Sequence, residues 1–272
     1  MTLETKSILV PIDFLVPTIS ALSYTVELVA NKNMNVILLH VVSSASKIPE
    51  AELKLNELIV QHENSKIEFK IRVMVGDIYK SISKCSEDFN CLLTIMGTHS
   101  AKGFRKVFGS KSISAISESK STMLTVQSGT VFNPIEKIAV TVDEYKESVQ
   151  VIKNIVDVAA IFNCELIFIA GKQNDSMLKS KVNVNLRIAS NYAQTNKFEY
   201  SVQYLERSNF TENLLKYCAK EKVNLIATTF HQENFHVFSA KFVQHLFEND
   251  LSIPVLTVNG SALTKISNTS FL

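Results

Sequence analysis

Glycine and proline are scarce: 7 and 5 in a chain of 272 residues. That scarcity argues against a disordered chain and against an all-β fold rich in tight turns. Charge of one sign is lacking too. Lysine plus arginine number 28 and aspartate plus glutamate 26, a net charge of +2. Such a balance gives no reason to expect a nucleic acid or a membrane surface as partner. No run is apolar for the length that a membrane helix needs. The opening MTLETKSILVPIDF is polar and acidic and leads at once into a strand pattern, unlike a secretory leader. The four cysteines, Cys85, Cys91, Cys164 and Cys218, form no CxxC pair. They are expected as free, mostly buried thiols in a reducing cytoplasm, neither a disulfide framework nor a zinc site. What the chain has is apolar residues, 46% against 20% charged. That is enough for a sizeable core in one large or two compact domains.

The chain repeats itself. SILVPIDF (7–14) and KIAVTVDEY (137–145) are β-rich runs with Asp13 and Asp143 near their ends, 130 residues apart. Ile19, Leu22, Val26 and Val29 recur at helical spacing, and Val149, Ile152, Val156 and Ala159 do so at the same offset. MNVILLHV (34–41) has its counterpart in CELIFIAG (164–171). Later the offset is 132: LTIMGTH (93–99) pairs with LIATTFH (225–231), and TMLTVQ (122–127) with PVLTVN (254–259). Five anchors in the same order indicate a duplicated unit of domain size. The joint falls in the polar QSGTVFNPIEK (127–137).

Each unit reads as strands alternating with helices. In the first, strands are expected near 7–13, 35–42, 67–75, 91–97 and 122–127, and helices near 17–31, 49–62, 77–88 and 110–119. In the second, strands are expected near 137–142, 164–170, 198–205, 224–229 and 254–258. Near-continuous apolar strands are covered on both faces, and the alternation implies right-handed crossovers. The expected fold class is α/β: two similar doubly wound domains, each a five-stranded parallel sheet with helices on both faces. They are expected to pack about a pseudo-twofold axis through their last strands, which are apolar edges in need of cover. The expected domains are 1–128 and 135–260, with a polar tail at 261–272.

Ligands of such a fold bind at the carboxyl ends of the strands. The first unit places Asp13, Val41 and Gly97 there, followed by THSAKGFRKVFGS. Gly97 and Gly103 let a ligand approach the backbone. Gly109-Ser110 precedes a short helix pattern, with Ser110 near its N-cap. A helix N-terminus favours an anion, and Lys102, Arg105, Lys106 and Lys111 add positive charge. These are the parts of a phosphate site, although a few glycines between strand and helix also occur in loops that merely turn the chain. The stretch is neither a Walker loop nor GxGxxG.

SILVPIDF, VILLHVV, VMVGD and IMGTHSAKGFRKVFGSKS, closed by TMLTVQ, resemble the universal stress protein domain in order and spacing. The resemblance covers the first unit and, more weakly, the second, which implies a tandem universal stress protein. Many members bind ATP through a Gly-x2-Gly-x9-Gly-Ser/Thr loop, with an Asp after strand one and a Val after strand two near the adenosine; others lack the glycines and bind none. The resemblance assigns Asp13 and Val41 to the adenosine, Gly97 to the first glycine, and Gly109 with Ser110 to the closing pair. Ser100 stands where the middle glycine is expected, and the loop is one residue short; Gly103 supplies the nearest alternative bend. The implied nucleotide site is therefore Asp13, Val41, Gly97, Ser100, Gly103, Gly109, Ser110 and Lys111, holding ATP with Mg or another adenine nucleotide weakly. The matching stretch of the second unit, TTFHQENFHVFSAKFVQHLF (228–247), contains no glycine, so that unit is expected to be degenerate.

No catalytic or metal residues are expected. His231, His236 and His245 are too irregularly spaced for one helix face. His40 reads as a satisfied histidine inside an apolar strand, and His99 lacks the partners of a general base. The expected function is a cytoplasmic regulatory or protective binding protein of the stress response, at most a slow ATPase. The alternative is a nucleotide-independent interaction module for an unidentified protein partner, with both sites degenerate. The duplicated chain is expected as an intramolecular pseudo-dimer, and pairing of two chains into a homodimer stays open.

Overall fold

The computed structural model describes residues 6–62, 67–98, 122–230 and 240–259. The chain divides into two compact units, Met1–Phe132 and Asn133–Leu272.

The first unit runs β1 (Lys6–Pro11), α1 (Val16–Val29), β2 (Met34–Val42), α2 (Ile48–Val60), β3 (Glu68–Val75), α3 (Ile78–Asp88), β4 (Cys91–Thr98) and β5 (Met123–Gln127). Its strands lie in the order β3-β2-β1-β4-β5, and every recorded pairing is parallel. Strand order reverses beside β1, and the crevice at that point opens where β1, β2 and β4 end. Ile8, Leu9 and Val10 of β1, and Val36 to Leu39 of β2, are fully buried. Consecutive burial of this kind needs helices on both faces, which is why these strands read as unbroken apolar runs. The edge strand β3 differs: EFKIRVMV alternates exposed and half-buried residues. The expected helix near 110–119 lies outside the described residues.

The second unit runs β6 (Lys137–Val142), α4 (Lys146–Ala159), β7 (Glu165–Gly171), α5 (Ser176–Thr195), β8 (Tyr200–Leu205), α6 (Phe210–Glu221), β9 (Leu225–Phe230), α7 (Ala240–Phe247) and β10 (Val255–Asn259). The order β8-β7-β6-β9-β10 is that of the first unit, again with parallel pairings. Phe168 and Phe230 are its largest fully buried side chains.

Two local features shape the first unit's crevice. β1 stops at Pro11, two residues before Asp13. The Ile12 amide still reaches Leu39 O at 2.8 Å, and the chain then turns through Phe14 at φ 65°. Left-handed backbone at a phenylalanine is uncommon and costs about 1–3 kcal/mol, so it persists only where its surroundings enforce it. The second feature is the approach of α1 to β4. A Cβ on Gly97 would lie 1.9 Å from Pro17 O and 2.9 Å from the Thr18 amide nitrogen. Glycine at 97 is what lets the first turn of α1 sit on the strand.

Candidate functional site

The turn after β1 is held by Asp13. Its Oδ1 accepts from the Leu15 amide at 2.9 Å and from Thr18 Oγ1 at 2.8 Å. The N-cap residue of α1, Leu15, makes no side-chain capping bond, so Asp13 organises the helix entry from two residues upstream. No described residue hydrogen-bonds its second carboxylate oxygen.

His40 stands near the end of β2, half-buried. Its Nδ1 lies 2.7 Å from Ile12 O, and its ring centroid lies 4.8 Å from that of Phe14. Val41 follows, half-buried, in register with Met74 of β3. After β3 the chain passes Gly76, at φ 134°, and Asp77 caps α3 by accepting from the amides of Tyr79 and Lys80 at 2.9 and 3.0 Å. These bonds supply two of the amide partners that a helix N-terminus lacks.

Together these ends enclose a cavity of about 510 Å³. Pro11, Ile12, Asp13 and Thr18 line it from the end of β1 through the turn into α1, His40 to Ser43 from the end of β2 and just beyond, Gly76 to Tyr79 from the β3–α3 connection and the start of α3, and Met96 and Gly97 from β4. The volume lies within the range of small-ligand sites, and the mixture of apolar walls and a few polar groups is typical of them. Among the described lining residues the charged side chains are the carboxylates of Asp13 and Asp77.

Three of the eight residues assigned from the sequence, Asp13, Val41 and Gly97, thus border one cavity. Ser100, Gly103, Gly109, Ser110 and Lys111 lie outside the described residues, as do His99 and the other loop cations. Sequence reasoning missed Thr18, His40, Gly76, Asp77, Tyr79 and Met96 as site residues. The Gly-Asp of VMVGD was their one visible signal. Among the described residues no group of three His, Cys, Asp or Glu side chains could hold a metal ion.

The corresponding end of the second unit is built differently. Asp143 repeats the turn: its Oδ1 accepts from the Tyr145 amide at 3.0 Å and from Ser148 Oγ. Here the carboxylate is buried, 3% exposed. Asn185 of α5 closes over it, donating to Asp143 O at 2.8 Å and Tyr145 O at 2.9 Å. Beyond it, the Arg207 guanidinium lies 3.6 Å from the nearly buried Glu144 carboxylate and also donates to Gln173, while Lys172 pairs with Glu206. Phe210 packs 3.7 Å from the position of a Cβ on Gly171 and faces Phe242 at 6.1 Å between centroids. Side chains therefore occupy much of the space that is cavity in the first unit. His231, His236, Phe235 and Phe238 lie outside the described residues.

The cysteines are free. Burial pushes the Cys85 thiol up to about 11 and those of Cys91, Cys164 and Cys218 up to about 12. No described helix is long and apolar enough to cross a membrane.

Residues 4–127 match the family model of the universal stress protein family. No curated protein matches the chain. Among solved structures it is similar to a universal stress protein from Archaeoglobus fulgidus DSM 4304, at 17% identity and a TM-score of 0.74, over 95% of this chain and 100% of that one. It is also similar to a putative universal stress protein from Pseudomonas aeruginosa UCBPP-PA14, at 12% identity and a TM-score of 0.63, over 98% of both chains. The cytoplasmic domain of a prokaryotic cation chloride cotransporter aligns at 10% identity and a TM-score of 0.53, over 94% of this chain and 96% of that one. At these identities the likeness is one of fold.

Proposed function

Residues 4–127 form a universal stress protein domain, and from that premise we propose that the first unit binds an adenine nucleotide, weakly, in the cavity where β1, β2 and β4 end. The protein acts by binding, as a regulatory or protective component of a stress response. One observation carries the reading: Asp13, Val41 and Gly97, distant in sequence, line a single cavity of about 510 Å³. The nucleoside lies against Asp13 and Val41. The phosphates, with Mg, extend past Gly97 towards the Ser100, Gly103, Gly109, Ser110 and Lys111 stretch. The described lining offers them no cation, so the loop's lysines and arginine must neutralise their charge. In this reading the site binds and any hydrolysis is at most slow.

A second reading has its own support. Asp13 and Gly97 each have a structural task, in the turn and in the packing of α1, that needs no ligand. A nucleotide-independent interaction module would keep both.

Calorimetric titration with Mg-ATP separates the two. Binding in the high micromolar to millimolar range, abolished in Gly109→Val, supports the nucleotide reading; no heat at millimolar ATP removes it. Binding that survives Gly109→Val puts the phosphates elsewhere. Fast hydrolysis lost in His99→Ala would overturn the non-enzymatic assignment.

A further inference from the structure

We propose that His40 is a specificity-determining residue of this cavity: its Nε2 accepts a hydrogen bond from the bound nucleoside, so that ligands offering a donor at that point are preferred. The inference rests on the nucleotide reading above and deepens it.

One bond fixes the tautomer of the neutral ring. Ile12 O can only accept, so Nδ1, at 2.7 Å, carries the proton. In the neutral imidazole the other nitrogen is then a lone-pair acceptor. Nε2 has no hydrogen-bond partner among the described residues, although His40 is half-buried and lines the cavity. The ring is held from two sides, by Ile12 O and by Phe14, whose left-handed backbone brings its ring 4.8 Å from the imidazole centroid. A fixed acceptor facing ligand space is what selective recognition requires, because a ligand without the matching donor leaves it buried and unpaired.

The neighbouring groups reinforce the polarity. Asp13 is a second acceptor, and the Thr18 hydroxyl already donates to its Oδ1. Among the described lining residues Asp77 is the other charged group and none is lysine or arginine, so this wall suits the donor-bearing part of a ligand better than its phosphates. In a nucleoside that part is either the exocyclic amine of the base or a ribose hydroxyl.

The test compares ATP, inosine triphosphate and 2′-deoxy-ATP on the full-length protein and on two variants. His40→Asn places an amide NH where Nδ1–H stood, so the bond to Ile12 O is kept while the Nε2 acceptor is lost. His40→Gln returns an acceptor near Nε2. The wild type should bind ATP about tenfold tighter than the analogue lacking the recognised donor, the size of one unpaired buried polar group. Loss with inosine triphosphate identifies the amine, loss with 2′-deoxy-ATP the hydroxyl. His40→Asn, melting close to wild type, should lose about tenfold for ATP and bind that analogue equally well. His40→Gln should recover part of the difference. The inference is overturned if His40→Asn binds ATP as wild type does, or weakens all three ligands by the same factor. A wild type that binds all three equally also overturns it and leaves the nucleotide reading standing. A wild type that binds none removes both.

Discussion

Asp13 and Asp143 close the same turn, 130 residues apart. Each accepts one bond from the amide two residues on and one from the hydroxyl five residues on: Leu15 and Thr18 in the first unit, Tyr145 and Ser148 in the second. Their surroundings differ. Asp13 is exposed at the cavity edge, whereas Asp143 is buried beneath Asn185. One bond pattern therefore serves an open strand end and a closed one.

Replacing the two aspartates should accordingly give unequal losses. Asp13→Ala is expected to cost about 1 kcal/mol, because water replaces the missing acceptor at an exposed site. Asp143→Ala should cost about 2–3 kcal/mol, since Ser148 Oγ and the Tyr145 amide are left without their partner in a buried setting. Urea denaturation of each variant measures both values. Equal losses would contradict the difference in burial.

Asn185 bridges two backbone carbonyls from α5 at 6% exposure. Asn185→Leu should destabilise the second unit by about 1–2 kcal/mol by removing the amide donor shared by Asp143 O and Tyr145 O, the latter still accepting from the Ser148 amide at 3.3 Å. At the repeat offset the first unit has Leu55, fully buried. The reverse change, Leu55→Asn, buries an amide among apolar neighbours and should cost at least as much, about 2–5 kcal/mol. Differential melting of the two variants tests the pair.

Gly97→Ala places a Cβ 1.9 Å from Pro17 O, a backbone atom that cannot rotate away. Displacing the first turn of α1 from β4 should cost about 3 kcal/mol or more. Gly76→Ala meets no atom within 4 Å but must adopt φ 134°, so its penalty is conformational alone, about 1–3 kcal/mol. Circular dichroism melts should rank Gly97→Ala below Gly76→Ala. A Gly97→Ala protein melting like wild type would disprove the packing account.

The thiols give a pH prediction. Burial raises all four folded-state values, to about 11 for Cys85 and about 12 for Cys91, Cys164 and Cys218. Burial also raises the Tyr24 hydroxyl. In the unfolded chain thiols ionise near 9. Below that value folded and unfolded states are both protonated, and the contribution to stability is complete. Above it the unfolded state releases protons that the folded state retains, so stability falls progressively from about pH 9 to 12. Equilibrium unfolding at pH 7, 9 and 10.5 should show the decline. A disulfide-exchange reagent at pH 8 should label the native protein slowly and all four cysteines at once after denaturation.

The architecture was legible because both-face burial leaves apolar runs such as SILVP and MNVILLHV, which few other folds require. The expected strands at 35–42 and 137–142 match β2 and β6 to within a residue. The exposed alternation of β3 was not legible as an edge, since a strand's position in the sheet depends on neighbours far away in the chain. The site was legible in part. Asp13, Val41 and Gly97 announce themselves by ending strands, but His40 looked like an interior residue because leucines and valines flank it. The sheet gives out at this point, so the imidazole is only half-buried. Likewise, spacing led Gly97 to be read as room for a phosphate. How closely α1 approaches β4 is set by packing, which spacing alone does not disclose.

The contact between Gly97 and Pro17 also bears on how such a domain ages. Selection for folding alone holds glycine at 97, because any side chain there collides with α1 whether or not a ligand is present. Gly97 is thus a poor witness to function, since this packing of α1 demands it with or without a ligand.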